Sequence, residues 1–214
     1  MCYNTLKRSS FLVKENPDKL KVINDFMDEE ESYSAKVEVV HFLQLMREIG
    51  FRQLESKVKK PLRNLRVSPY YGCMLLRPRE LAIDDPEDPK VLEDLLAALG
   101  AHVVDNPLKV RCCGSYLTAN RKQTVADLAH DILTHAVSEG ADALAVSCPL
   151  CAFNLDARQA EVKNLHPSFE FVPIFYFTQL MALAFGLDPE QFGFDTHTVD
   201  PRKLLKEKGL LDGE

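Results

Sequence analysis

Short runs of hydrophobic residues alternate along most of the chain with longer stretches in which hydrophobic residues recur every three or four positions. The runs predict buried β-strands, and the three-to-four spacing predicts helices with one buried face. Predicted strands lie at residues 65–73, 101–107, 141–149 and 169–173. Predicted helices lie at residues 88–100, 115–140, 151–162 and 174–186. Strands that alternate with helices in this way predict an α/β fold with short, mostly parallel sheets flanked by helices.

The N-terminal region differs from the rest because it is charged and favours helices. Hydrophobic residues at Leu20, Ile23, Phe26 and Met27 follow helical spacing within a strongly polar segment. Residues 37–50 predict a short β-branched run that leads into an amphipathic helix, and a glycine ends that helix. The change in character predicts a boundary close to residue 62.

Two short words near the N-terminus return later in the chain. CYNTL at 2–6 resembles CAFNL at 151–155, and VEVV followed by LQLM resembles FEFV followed by FTQLM in the same order. Matches this short also arise by chance. If they mark a repeat, the chain contains tandem modules. Residues 1–62 are then the tail of a first module whose head is missing, and residues 63–214 are a complete second module with a helical extension at its C-terminus.

The composition is that of a soluble globular protein. Hydrophobic residues make up 46% of the 214 residues, which is enough for a core without disulfide bonds. No apolar run reaches the roughly 18 to 20 residues that span a bilayer, and the N-terminus shows no signal peptide. We therefore expect a cytoplasmic protein with no membrane span. The net charge of -6 and the scattered basic residues argue against a nucleic-acid partner.

Five of the six cysteines fall in turns that follow predicted strands. One ends a strand, two are adjacent and precede Gly114, and two form a C-P-L-C turn after another strand. In open α/β sheets such turns lie together at the carboxyl edge, where ligands bind. Gly114 permits the unusual backbone dihedrals that would aim two neighbouring thiols at one place. The pattern predicts a site built from Cys73, Cys112, Cys113, Cys148 and Cys151.

Clustered thiols in a reducing compartment favour metal or redox chemistry over structural disulfides. Thiolate is the ligand that iron–sulfur centres prefer, and amide groups at the start of a helix stabilise the negative charge of a C-x-x-C turn. Zinc takes four ligands, so a fifth thiolate indicates an unusual cluster or a thiol kept free for chemistry. Three alternatives remain open: a structural zinc site on four of the five thiols, a redox disulfide at the C-x-x-C turn, and cysteines that only fill the core.

At these cysteines the chain resembles the cysteine-rich CCG-domain family, and within it the B subunits of heterodisulfide reductases. The resemblance rests on CYNTLK at 2–7, YYGCMLLRP at 70–78, RCCGSYL at 111–117, SCPLCAFNLDARQ at 147–159 and FYFTQLMALAFGL at 175–187. It implies that a noncubane 4Fe-4S cluster is bound by the second module. The implied ligands are Cys73, Cys112, Cys113, Cys148 and Cys151, with Cys2 as a remnant of the first module's set.

The resemblance also implies a reaction. Members of this subunit family reduce a disulfide such as CoM-S-S-CoB with electrons passed through the cluster, so the five cysteines would be catalytic through that cluster. The implied partners are the flavin-containing and ferredoxin-like subunits of the A and C type. Arg77 and Arg79 could hold an anionic substrate tail by charge-assisted hydrogen bonds. Solvent-facing arginines are the alternative.

The chain departs from the family pattern in two places. The head of the first module, with its own cysteines, is missing, so we expect the sequence to be a fragment or a truncated form. Met74 stands where many CCG modules carry histidine, so any proton-donating role of that histidine is vacant or has moved.

Two other functions remain open. One is an iron–sulfur electron-transfer subunit of another CCG oxidoreductase, of the glycolate oxidase or thiol:fumarate reductase type. The other is a zinc-bound docking module. The words CYNTLK and YYGC favour the heterodisulfide reductase B subunit over both.

Overall fold

Four short strands form one parallel sheet in the computed structural model, which describes residues 2–27 and 29–211. The spatial order is β2-β1-β3-β4. The strands are β1 Arg66–Tyr70, β2 His102–Val103, β3 Ala143–Val146 and β4 Ile174–Tyr176. Every pairing between neighbouring strands is parallel. Parallel neighbours need crossover connections, and helices supply them here. The predicted α/β fold with a parallel sheet flanked by helices is confirmed.

Helices cover both faces of the sheet. They are α1 Cys2–Glu15, α2 Pro17–Phe26, α3 Phe42–Ile49, α4 Phe51–Glu55, α5 Val91–Ala98, α6 Lys122–Ser138, α7 Pro149–Ala152, α8 Gln159–Leu165, α9 Phe177–Ala184 and α10 Arg202–Glu207. Side chains of β3 alternate between the two faces. Ala143 and Ala145 join the core that contains α5 and α9, whereas Leu144 and Val146 join the core that contains α6 and α8. In the described ranges, no helix is long and apolar enough to cross a membrane.

The last strand lies later in the chain than predicted. Residues 169–173 were expected to be a strand, but β4 begins at Ile174. The side-chain amide of Gln159 occupies both backbone groups of Val172: it accepts from the Val172 N–H at 2.8 Å and donates to the Val172 carbonyl at 2.7 Å. Val172 is therefore satisfied by a side chain and does not pair with a strand. The ladder with β3 starts at Pro173, whose carbonyl accepts from the Leu144 N–H.

Two predicted helices are interrupted beside the cysteines. The helix expected at 115–140 begins only with α6, because Gly114 adopts φ 76° and opens a 3-10 turn at Ser115–Leu117. The helix expected at 151–162 is divided into α7, a π-helical turn at Phe153–Ala157, and α8. Turns of the π type are frequent at functional sites because they redirect side chains within a helix.

Helices α3 and α9 begin in the same way. In α3 the side-chain oxygen of Gln44 accepts from the backbone N–H of His41 at 2.9 Å. In α9 the side-chain oxygen of Gln179 accepts from the backbone N–H of Tyr176 at 2.9 Å. This is the glutamine half of a capping box, and the four residues hold corresponding positions in the words HFLQLM and YFTQLM.

Candidate metal centre

Three loops bring five cysteines to the carboxyl edge of the sheet. Cys73 follows β1, and Cys148 follows β3 at the start of the C-P-L-C turn. Cys112 and Cys113 follow a 3-10 turn at Pro107–Val110 that comes after β2. Because the strands are parallel, all three loops leave the sheet at the same edge. The sequence prediction of a shared edge therefore agrees with the fold.

The five thiols form a pair and a triplet. In the pair, Cys73 Sγ and Cys112 Sγ lie 3.6 Å apart. In the triplet, Cys113 Sγ and Cys151 Sγ also lie 3.6 Å apart, and a hydrogen bond joins Cys151 to Cys148. Two thiolates on one tetrahedral metal atom with bonds of about 2.3 Å are about 3.8 Å apart. Both measured separations are close to the value for two sulfurs that share a metal atom.

The donor set suits a cluster better than a single ion. Among residues 2–27 and 29–211, no three His, Cys, Asp or Glu side chains surround one point as ligands of one metal ion. A structural zinc ion needs four such ligands. A polynuclear cluster divides its ligands among several metal atoms, and thiolates are the ligands that iron–sulfur clusters use. Thiols arranged as a pair and a triplet therefore fit an iron–sulfur cluster.

The pair is more exposed than the triplet. Cys113, Cys148 and Cys151 have only 1%, 7% and 6% of their surface exposed. Cys73 and Cys112 are half-buried. A molecule that approaches from solvent therefore reaches the pair first.

Hydrogen bonds determine which thiols ionise. The pKa of Cys148 is lowered to about 5 by its hydrogen bond with Cys151 and by backbone N–H groups at the start of α7. The pKa of Cys113 is lowered to about 7, chiefly by its own bond with Cys151. The same two bonds raise the pKa of Cys151, whereas burial raises the pKa of Cys73 to about 11. The triplet thus holds two acidic thiols, and thiolates are the form that binds metal.

Known proteins share this cysteine pattern. Residues 67–156 match the family model for a cysteine-rich domain named CCG. The chain carries a CCG domain. The matched range contains all of the pair and the triplet.

The CCG domain and its flanking regions resemble subunits of reductases. The chain is 33% identical over 174 residues to the 8-methylmenaquinol:fumarate reductase membrane anchor subunit of Wolinella succinogenes, which covers 81% of this chain and 61% of that one. It is 28% identical over 211 residues to the B subunit of the ferredoxin:CoB-CoM heterodisulfide reductase of Methanosarcina mazei, covering 95% and 69%. A protein of Archaeoglobus profundus that is named as similar to the heterodisulfide reductase B subunit is 26% identical, with 89% and 66% covered. The chain thus spans 61% to 69% of the length of these relatives.

The fold has a counterpart among solved structures. A hypothetical protein from Helicobacter pylori superposes with a TM-score of 0.68 at 12% identity, over 89% of this chain and 35% of that one. At this identity the likeness shows a common fold.

Two glycines let the backbone of the CCG domain approach side chains at the site. Gly72 has φ 66°, and a Cβ atom there would lie 2.9 Å from Cys151 Sγ. Gly114 has φ 76°, and a Cβ atom there would lie 2.9 Å from a methyl group of Leu128. The Gly114 N–H donates to Cys112 Sγ at 3.3 Å. Both positions need the left-handed conformation that glycine adopts without strain.

Tyr70 lies beside the cysteines of the CCG domain and anchors one of their loops. Its side chain is fully buried, and its hydroxyl donates to the carbonyl oxygen of Arg111 at 2.6 Å. Burial, followed by the nearby thiols, raises the pKa of Tyr70 well above its ordinary value, so the phenol stays neutral. A tyrosine at the end of a buried strand looks like an ordinary core residue, so its role has no signal in the sequence.

Tyr70→Phe is expected to lower the free energy of unfolding of the metal-free chain by about 1–3 kcal/mol, because it leaves the Arg111 carbonyl without its donor. Urea unfolding measures this difference. Tyr33→Phe, which removes the same atom in the segment between α2 and α3, should change stability by less than about 0.5 kcal/mol. Equal effects of the two substitutions would contradict an anchoring role for Tyr70.

The remaining predicted site residues lie outside the pair and the triplet. Cys2 begins α1 and is an exposed, free thiol. Arg77 forms an ion pair with Glu87 at 3.1 Å. Arg77 and Arg79 line a cleft of about 500 Å³ that also contains Asp85 and Glu87. An anion that binds Arg77 in this cleft has to displace Glu87.

Proposed function

We propose that this chain is the disulfide-reducing, B-type subunit of a heterodisulfide reductase complex, with CoM-S-S-CoB as an example of its substrate. The observation that carries the proposal is the placement of thiols from three loops at one sheet edge, with two of them half-exposed. The similarity to the Methanosarcina mazei and Archaeoglobus profundus proteins supports it.

The proposal requires a noncubane 4Fe-4S cluster. Cys73, Cys112, Cys113, Cys148 and Cys151 would hold it. When bound, such a cluster supplies single electrons and an iron site for a sulfur ligand. The buried triplet would shield one side of the centre from water, and the half-exposed pair would leave the other side accessible to substrate.

The cleft at Arg77 and Arg79 would take the charged end of the substrate. Guanidinium groups bind carboxylate and phosphate oxygens with good geometry. In the free protein Arg77 holds Glu87, whose side chain is 79% exposed. Exposed ion pairs contribute little to stability, so a substrate anion can replace Glu87 at small cost.

The proposal also includes a first module, of which residues 1–62 are the tail and which precedes a second module at 63–214. The shared start of α3 and α9 supports it. Phe42 and Phe177 hold the same position in the two capping words, and their ring centroids lie 6.0 Å apart. Equivalent residues meet where two copies of a unit face each other. Flavin-containing and ferredoxin-like subunits of the A and C type would deliver the electrons.

Anaerobic reconstitution of the whole chain with iron and sulfide tests the proposal. We expect brown protein that contains iron and acid-labile sulfide, with a magnetic signal that changes when CoM-S-S-CoB is added. A reduced viologen dye should be oxidised only when that disulfide is present. Colourless protein with about one zinc ion per chain would contradict the proposal and favour a zinc-bound docking module.

An electron-transfer subunit for another substrate is the second candidate. The 33% identity to the fumarate reductase subunit, against 28% to the heterodisulfide reductase subunit, favours it. Such a chain would bind the cluster and pass electrons to a partner without reacting with a disulfide. A cluster signal that CoM-S-S-CoB leaves unchanged, together with no oxidation of the dye, would support this candidate over the first.

A further inference from the structure

The π-helical turn after Cys151 places one buried amide against the adjacent cysteines. Asn154 lies in this turn and is 1% exposed. Its Nδ2 donates to the Cys113 carbonyl oxygen at 3.0 Å and to Cys113 Sγ at 3.7 Å. One side chain thus contacts both the backbone and the sulfur of a cysteine in the triplet.

Thr118 fixes the orientation of this amide. The Thr118 hydroxyl donates to Asn154 Oδ1 at 2.7 Å. With the oxygen engaged, the amino group of Asn154 must face Cys113. A reversed amide would set Oδ1 against the Cys113 carbonyl, and two acceptors cannot form a hydrogen bond. The N–H donors of Asn154 are therefore directed at Cys113.

We propose that Asn154 is a positioning residue of the metal centre, which holds Cys113 in place and donates an N–H···S hydrogen bond that stabilises negative charge on its sulfur. The inference rests on the proposed iron–sulfur function and deepens it. Hydrogen bonds to ligand sulfurs set the reduction potential of a cluster, and groups that support the ligands raise metal affinity. The neighbouring sulfur has a donor of its own, because the Gly114 N–H reaches Cys112 Sγ at 3.3 Å.

Three single substitutions in the whole chain separate this role from ordinary packing. Asn154→Asp keeps the shape of the side chain but replaces its N–H donors with a carboxylate. Thr118→Val keeps the shape at 118 and removes the hydroxyl that orients the amide. Asn164→Asp, at an exposed position of α8, makes the same change of charge on the surface and serves as the control.

Two readouts are measured for each variant. In the chain loaded anaerobically with iron and sulfide, we expect Asn154→Asp to lower the midpoint reduction potential and to weaken iron binding about 10- to 100-fold. Thr118→Val should lower the potential by less, and Asn164→Asp should leave it unchanged. In the metal-free chain, amide hydrogen exchange over residues 112–118 should become about tenfold faster in Asn154→Asp, because a buried backbone hydrogen bond is lost.

Each outcome decides a defined part of the proposal. A wild-type potential and wild-type exchange in Asn154→Asp overturn it. Faster exchange with an unchanged potential overturns the N–H···S bond and leaves Asn154 as a support of the loop. If Asn154→Asp does not fold, an unchanged potential in Thr118→Val overturns the proposal. A wild-type chain that takes up no iron would overturn the proposed function and the metal role of Asn154 together, whereas exchange would still decide whether Asn154 holds the loop.

Discussion

Cys113→Ser is expected to abolish the magnetic signal of the reconstituted chain and to lower its iron content more than about tenfold. Cys113 is 1% exposed, and its sulfur lies 3.6 Å from Cys151 Sγ. A serine hydroxyl holds its proton far more tightly than a thiol and is a poor ligand for iron, so the triplet would lose one of its members. Circular dichroism should show that the helices remain, because serine is close to cysteine in size.

Cys2→Ser is the matched control for this substitution. It changes the same atom at an exposed position in the first turn of α1. We expect its iron content and magnetic signal to equal those of the wild type. A wild-type signal in Cys113→Ser, or an equal loss of signal in both variants, would contradict the assignment of the second-module ligands.

Gly72→Ala is expected to displace Cys151 and to reduce iron loading severely. The new Cβ atom would lie 2.9 Å from Cys151 Sγ, which is closer than such atoms approach in folded proteins, and φ 66° is strained for alanine. Strain of about 1–2 kcal/mol from the left-handed backbone and about 1–3 kcal/mol from overpacking should together lower the free energy of unfolding by about 2–5 kcal/mol. Urea unfolding of the metal-free chain measures this loss, and iron analysis measures the loading.

Gly193→Ala isolates the contribution of the backbone. Gly193 also has φ 66°, but no heavy atom of the described residues lies within 4 Å of the position that a Cβ atom would take there. This variant should lose only about 1–2 kcal/mol of stability and should load iron normally. If Gly72→Ala behaves like Gly193→Ala in both measurements, the contact with Cys151 does not shape the site.

Much of the scaffold around the site could be predicted from local patterns. The hydrophobic runs at β1 and β3 are flanked by helical spacing, so both strands and their shared carboxyl edge follow from periodicity. Gly114 directly after two cysteines indicated a sharp turn, and it adopts φ 76°. These features depend on residues close together in sequence, which is why a pattern is sufficient to predict them.

The features that could not be predicted depend on contacts between distant segments. The segment at 169–173 has a strand-like pattern, but the amide of Gln159 binds the backbone of Val172 and moves the strand to Ile174. Asn154 follows Cys151 by about one helical turn, a spacing that could have drawn attention to it. Its partners, Cys113 and Thr118, belong to another loop. No spacing rule reports which distant backbone group a buried amide will meet.

The three cysteine loops join segments that are far apart in the sequence, and this has a consequence beyond chemistry. A group bonded to all of them would act as a cross-link that closes two long loops of the unfolded chain and thereby reduces its entropy. Damage by oxygen would then release a mechanical clamp as well as remove an electron carrier, and the open end of the sheet would be the first part of the molecule to loosen.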